Sequence, residues 1–264
     1  FATRSDNEVA LHLLDDSGPD HLGRMEGMFA LVAAGRDGRF IAARDPVGIK
    51  PLYWARRGRQ VRFASEMACF PRSWLPDVRP FPPGCYWTPQ GGVIRFAHAV
   101  DPHHRGEPDG HPPADGPTEA ELDAIRETIV TAIESQMMGD VPVGVFLSGG
   151  LDSSLVAAVA ARWCAARGTR LQTFAVGLDG SADLVAARAA AKVIGSEHRE
   201  RRYSAREARD AVANVVRAIE SFEPSLVRSA VPNYLLAEYA AEHVKVVLTG
   251  EGADEIFAGY DYLR

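Results

Sequence analysis

Residues 141–154 read VPVGVFLSGGLDSS, an apolar run that ends in a tight polar turn and passes into a helical pattern. A strand feeding a helix in this way aims backbone N–H groups and the positive helix end at whatever lies above, which suits an anion such as pyrophosphate. Gly149 and Gly150 let the main chain come close, and Ser148, Ser153 and Ser154 supply hydroxyl donors. Asp152 would repel phosphates unless a cation bridges them. It is therefore read as a magnesium ligand, because hard divalent cations favour oxygens shared between a carboxylate and phosphates. A Walker A loop would need Gly-Lys-Ser/Thr and a nucleophile elbow Gly-x-Ser-x-Gly, and neither occurs in this turn. A plain glycine turn also joins strands to helices, but the full heptapeptide after a buried strand is far more restrictive.

A second segment has the same character. KVVLTGEGADEIFAGY, Lys245 to Tyr260, is an apolar strand, Val246 to Leu248, entering a glycine turn that carries Glu251, Asp254 and Glu255. In a doubly wound parallel sheet, ligands bind outside the carboxyl ends of the strands, so two such turns can face one nucleotide, with Asp254 opposite Asp152.

The intervening pattern supports that sheet. Thr118-x-x-Glu121 is a capping box opening a helix whose apolar stripe, Leu122, Ile125, Ile129, Ile133 and Met137, is predicted to pack on the sheet. There follow a helix from Leu155 to about Arg167, a strand Leu171 to Val176, a helix Asp183 to Ile194 and a strand Glu197 to Tyr203. A second box, Ser204-x-x-Glu207, opens a helix to about Ile219, and a helix Val231 to His243 leads into strand Lys245 to Leu248. This alternation implies a parallel sheet covered on both faces.

The first hundred residues follow another rule. GMFALVAAGRDGRFIAARDPVGIKPLYWA, Gly27 to Ala55, alternates apolar and polar residues around glycine turns, as antiparallel strands do. Ser5-x-x-Glu8 reads as a capping box for the helix EVALHLLDD. Between the halves, DPHHRGEPDGHPPADGP, Asp101 to Pro117, is dense in proline, glycine and charge and reads as a linker. His103, His104 and His111 match no ligand spacing, so a solvated linker is favoured over a metal site.

Together, the two glycine turns and FAVGL at 174–178 resemble the synthetase domain of the glutamine-dependent asparagine synthetase family, which belongs to the pyrophosphate-loop ATP pyrophosphatases. The resemblance implies that Ser148, Gly149, Gly150, Leu151, Asp152 and Ser153 hold ATP. Phe146 and Val176 would contact adenosine, and Thr249, Gly250 and Glu251 would form the second turn. Thr249 replaces the family's usual serine and keeps its hydroxyl. Glu251 is also assigned to catalysis, and Asp152 with Asp254 to magnesium. In ESFEPSLVRSAVPNYLL, 220–236, Arg228 matches an arginine of the aspartate region, and a guanidinium fork suits a carboxylate. A surface salt bridge is the alternative for Arg228, and Ser225-Leu226 stands where the family has a Thr-Thr pair.

The RDPVGIKPLY stretch at 44–53 and FASEM at 63–67 resemble the antiparallel N-terminal nucleophile sandwich of class II glutamine amidotransferases. In that family an SD pair helps hold glutamine's α-amino group, which assigns Asp6 to glutamine binding. The family's N-terminal nucleophilic cysteine has no counterpart: no cysteine precedes Cys69. Cys69, Cys85 and Cys164 match no nucleophile position and read as inert, apolar residues. Lys50, Lys192 and Lys245 do not align with the phosphate-contacting lysine of the family's later helices. The resemblance therefore implies an internal fragment: residues 1–100 from the glutaminase domain, 101–117 linker, and 118–264 from the synthetase domain.

The implied reaction makes asparagine from aspartate, ATP and glutamine-derived ammonia through a β-aspartyl adenylate, with magnesium required. A related amidotransferase or β-lactam synthetase acting on another carboxylate, and a nucleotide-binding module without turnover, are the alternatives. Bulk properties agree. At 264 residues and 46% hydrophobic the chain can bury two cores, and a net charge of −6 gives no support for a nucleic-acid surface. No apolar stretch approaches a membrane span. Three scattered cysteines predict a reducing, cytoplasmic setting. A homodimer is compatible with the resemblance, and the residues themselves are silent on assembly.

Overall fold

The computed structural model describes residues 1–100 and 116–260. It forms two compact units, Phe1–His111 and Pro112–Arg264. Except for Gly116 and Pro117, the expected linker lies outside the described residues, and so do His103, His104 and His111.

The first unit is a helix followed by antiparallel strands. Helix α1 is Asn7–Ser17, and the strands are β1 Ala30–Ala34, β2 Phe40–Arg44, β3 Tyr53–Arg57, β4 Gln60–Ala64, β5 Arg79–Pro80, β6 Cys85–Thr88 and β7 Gly92–Arg95. They make two sheets, ordered β1-β2-β6-β7 and β4-β3-β5, with every pairing antiparallel. The sheets share a core in which Leu52, Phe81 and Cys85 meet Ala30, Trp54, Phe63 and Trp87. Phe63 packs its ring 5.7 Å from Phe81 and 5.5 Å from Trp87. The RDPVGIKPLY stretch turns around Asp45, which is 1% exposed. Its carboxylate accepts from the N–H groups of Gly48 at 2.6 Å, Ile49 at 3.0 Å and Lys50 at 3.0 Å.

The capping box expected at Ser5-x-x-Glu8 does not form. Asp6 occupies the cap position of α1 without a side-chain bond. The Glu8 carboxylate turns back instead to accept from Ala2 N–H, Thr3 N–H and the Thr3 hydroxyl. Three donors outbid the single N–H a capping box would offer, and they hold Glu8 down at a pKa of about 2.

The second unit is the parallel layer. Helix α2 is Glu119–Gln136, followed by β8 Val143–Phe146, α3 Leu151–Ala165, β9 Gln172–Gly177, α4 Ala182–Ile194, β10 Glu197–Arg202, α5 Ala205–Ile219, α6 Pro224–Ala241, β11 Val246–Leu248 and α7 Ala253–Phe257. The strands run in the order β10-β9-β8-β11, all parallel. From β8 the chain winds outward through β9 to β10, then returns to the other side of β8. That reversal makes a switch point between β8 and β11. On one face Val145, Leu147, Ala157, Ala160, Leu184 and Ala187 form the core with α3 and α4. On the other, Phe174 packs with Leu236, Ala240 and Val244 of the α6 region. The sheet is thus doubly wound.

Both capping boxes of this unit form: Thr118 with Glu121, and Ser204 with Glu207. Three expectations need correction. Helix α3 begins at Leu151 and not Leu155, so Asp152 and Ser153 lie in its first turn. Helix α6 begins at Pro224 and not Val231. Pro224 at the first helical position and the Glu223 side chain, accepting from Leu226 N–H at 2.6 Å, start the helix a turn and more earlier. In α2 only the C-terminal end of the apolar stripe is buried: Ile133 and Met137 are covered, whereas Leu122 is 40% and Ile125 43% exposed. Helix α2 lies against α3, and Met137 joins the core beneath it.

Candidate functional site

A cleft of about 420 Å³ opens at the carboxyl ends of β8, β9 and β11. Ser148, Gly150, Asp152 and Ser153 line it from the β8 turn, and Thr249, Gly250 and Glu251 from the β11 turn. Phe146, Val176 and Leu236 give it an apolar wall. The two turns predicted to face one nucleotide therefore share one cavity.

The β8 turn is braced from within. Ser153, 8% exposed, turns its hydroxyl inward, where it accepts from Ser148 N–H at 3.2 Å and reaches the Gly150 carbonyl at 3.3 Å. The Ser148 and Ser153 hydroxyls lie 2.9 Å apart, and Gly150 N–H donates to Ser148 Oγ at 3.3 Å. No side chain caps α3, whose cap residue is Gly150. Its first N–H groups thus keep their capacity for an anion above the turn.

Glycines set the spacing. Gly149 has φ +84°, and a Cβ there would fall 2.6 Å from Ala187 N and 2.7 Å from Ala186 Cβ. The turn consequently rests directly on α4. A Cβ at Gly250 would stand 2.9 Å from Asp152 Cβ and 3.0 Å from Ser153 N, so the second turn rests on the first turn of α3. In that second turn Glu251 N–H donates to Thr249 Oγ1 at 3.3 Å.

Not every predicted residue reaches the cleft. Leu151 is 82% exposed and Gly149 is half-buried against α4; neither is among the lining residues. Asp254, half-buried in the first turn of α7, is also absent from the lining. Arg228 is exposed on α6, away from the lining, and donates through Nε to the Pro224 carbonyl of its own helix at 3.2 Å. The surface salt bridge considered for Arg228 is not formed among the described residues. In the first unit Asp6 lines a separate groove of about 870 Å³ with Lys50 and Ser65.

Two polar lining residues, Asp183 and Asn233, escape a reading of the sequence. Asp183 follows the end of β9, where the Ser181 side chain accepts from Asp183 N–H at 3.2 Å. The Ser181-x-Asp183 cap after an apolar strand is the signal that could have marked it. Asn233 sits within α6 beside Pro232, and no local pattern distinguishes it.

The donor set decides what a cation would need. Among the described residues no three histidine, cysteine or acidic side chains are gathered closely enough to hold a metal alone. Asp152, half-buried at the cleft, fits a magnesium ion only where phosphate oxygens complete the shell. As expected, Cys85 and Cys164 are buried thiols, their pKa values raised by burial, whereas Cys69 is exposed.

The family model for asparagine synthase matches residues 124–264. The chain belongs to the asparagine synthase family. A glutamine amidotransferase domain matches residues 1–72. Among curated proteins, asparagine synthetase (glutamine-hydrolyzing) 2 of Arabidopsis thaliana is 41% identical over 275 residues, covering 100% of this chain and 46% of that protein. A probable asparagine synthetase of Dictyostelium discoideum is 37% identical, covering 100% of this chain and 49% of that protein. Asparagine synthetase B of Escherichia coli is 36% identical with the same coverages, 100% and 49%. The chain thus spans about half the length of the curated relatives it matches. Among solved structures, an NH3-dependent NAD synthetase from Campylobacter jejuni aligns at TM-score 0.38 and 21% identity, covering 52% of this chain and 60% of that one. No helix among the described residues is long and apolar enough to cross a membrane.

Proposed function

We propose that the whole protein makes asparagine from aspartate, using ATP and ammonia released from glutamine. Residues 1–100 would belong to the glutaminase part and 118–264 to the synthetase part. The observation that carries this reading is the meeting of the Ser148–Ser153 turn and the Thr249–Glu251 turn in one cleft at the switch point.

ATP would lie with its base against Phe146 and Val176 and its β- and γ-phosphates over Ser148, Gly150 and the open end of α3. Asp152 would hold magnesium together with phosphate oxygens, with Asp254 as the second candidate ligand. The β-carboxylate of aspartate attacks the α-phosphorus, the bond between the α and β phosphates breaks, and pyrophosphate leaves. The N–H groups of the turn stabilise the charge that develops on the leaving group, so the protein contributes mainly positioning and electrostatics. Ammonia then attacks the acyl carbon and AMP departs. Glu251, the carboxylate of the second turn that opens into the cleft, is assigned the proton that ammonia loses. Asp6 would help hold glutamine in the groove of the first unit. Free cysteines at 69, 85 and 164 agree with a reducing compartment such as the cytoplasm.

A second reading rests on Arg228. Because Arg228 lies off the lining of the cleft, the acceptor would be a carboxylate other than aspartate, as in a related amidotransferase or β-lactam synthetase. Incubating the full-length protein with ATP, glutamine and a panel of carboxylates, and measuring AMP and the amide product, separates the two. Asparagine formed only with aspartate supports the first reading. Asp152→Asn should abolish pyrophosphate release and leave glutamine hydrolysis intact; undiminished synthesis by that variant sinks the assignment.

A further inference from the structure

The cleft is lined both by hydroxyls and main-chain N–H groups of the β8 turn and by apolar Phe146, Val176 and Leu236. With phosphates on the polar turn and the base on the apolar residues, the connecting ribose offers a pair of vicinal hydroxyl donors. Asp183 opens into the same cleft. Its carboxylate has no hydrogen-bond or ion-pair partner among the described residues.

Its backbone, by contrast, is fixed from three sides. Ser181 caps its N–H at 3.2 Å. A Cβ at Gly177 would lie 2.8 Å from Leu184 Cγ, so the end of β9 is in contact with the first turn of α4. Gly149 contacts Ala186 and Ala187, three and four residues after Asp183 and so on the same helical face. Helix α4 cannot slide without breaking the phosphate turn. A carboxylate accepts hydrogen bonds and donates none, so beside phosphates it is unfavourable, and beside a diol it is suited to take two O–H bonds. An acidic residue beyond the strand next to the phosphate-turn strand takes ribose hydroxyls in other doubly wound sheets for the same reason.

We infer that Asp183 is a nucleotide-positioning residue that accepts hydrogen bonds from the ribose hydroxyls of ATP. The inference rests on the proposed ATP site and assigns a further residue to it.

The test compares equilibrium binding of ATP, 2′-deoxy-ATP and 3′-deoxy-ATP to the full-length protein, without acceptor, for wild type, Asp183→Asn and Asp183→Ala. Wild type is expected to bind at least one deoxy nucleotide about tenfold more weakly than ATP, in line with the loss of a charge-assisted hydrogen bond. In both variants ATP should weaken by a similar factor, and the ratio of ATP to that deoxy nucleotide should fall to near one. Asn keeps the size of the side chain, so a collapsed ratio in Asp183→Asn with an unchanged thermal midpoint excludes a merely structural role. A ratio that survives in both variants overturns the role of Asp183 and leaves the proposed function standing. Failure of wild type to bind ATP at all overturns both.

Discussion

Gly250 stands against Asp152 so closely that a Cβ would lie 2.9 Å from that of the aspartate. The other near atoms, Ser153 N at 3.0 Å and the Asp152 carbonyl carbon at 3.1 Å, are main chain in the first turn of α3 and cannot swing aside. The contact joins residues 98 positions apart and brings the two halves of the cleft together. Gly250→Ala should therefore force the turns apart, destabilising the unit by about 1–3 kcal/mol, the usual cost of overpacking. Thermal unfolding and nucleotide binding should both weaken; an unchanged midpoint with full binding would contradict this account.

Gly149 carries two constraints, a φ of +84° and the proximity of α4, whereas Gly168 shares the first, at φ +70°, with no atom within 4 Å of its would-be Cβ. Gly168→Ala is expected to cost only the left-handed backbone, on the order of 1 kcal/mol. Gly149→Ala should cost that plus overpacking of about 1–3 kcal/mol. Chemical denaturation of the two variants isolates the second term, and equal losses would mean that α4 yields.

Asp45 supplies a buried carboxylate to three consecutive N–H groups. Asp45→Ala leaves those donors without their acceptor, a loss on the order of 3–5 kcal/mol by analogy with breaking a buried charged pair. The first unit should then unfold at markedly lower denaturant, while the second keeps its own transition. A near-neutral substitution would show that water replaces the carboxylate without cost.

His198 gives the second unit a pH dependence. Its Nδ1 lies 3.0 Å from Oγ1 of the fully buried Thr173, which also lies 2.8 Å from Ser196 Oγ. Nε2 is 3.3 Å from the Glu200 carboxylate, which Arg188 of α4 grips through two bonds of 2.9 Å. Burial lowers the His198 pKa below 6.5, although Glu200 opposes that shift. Below 6.5 the unfolded chain takes up a proton that the folded one refuses, so stability falls as pH drops from 6.5 toward the lowered value. Glu200, its own pKa lowered chiefly by the Arg188 bond, adds stability that is present above 4.5 and is lost as pH falls through its lowered value. Denaturation midpoints from pH 8 to 4 should decline in that order, and His198→Gln should flatten the upper part of the curve. An unaltered curve in that variant would assign the effect elsewhere.

Much of this was legible locally. Strand β8 announces itself as an apolar run because a central parallel strand is covered on both faces, and the boxes at Thr118 and Ser204 form because their partners lie three residues away. Where a residue had a choice of partners, local reading failed. Glu8 found better donors upstream, and α6 ran through Pro232 because Glu223 and Pro224 had already started it and its far end is packed under the sheet.

By itself the sequence determined the element types, the two acidic glycine turns and the family, since each depends on neighbours within one strand, turn or helix. Only the tertiary structure decided which side chains share the cleft. It admitted Asp183 and Asn233, left Arg228 and Asp254 off its lining, and pressed Gly250 onto Asp152. Those outcomes depend on strand order and on contacts between distant segments, for which the physical cause is packing across the sheet rather than any pattern along the chain.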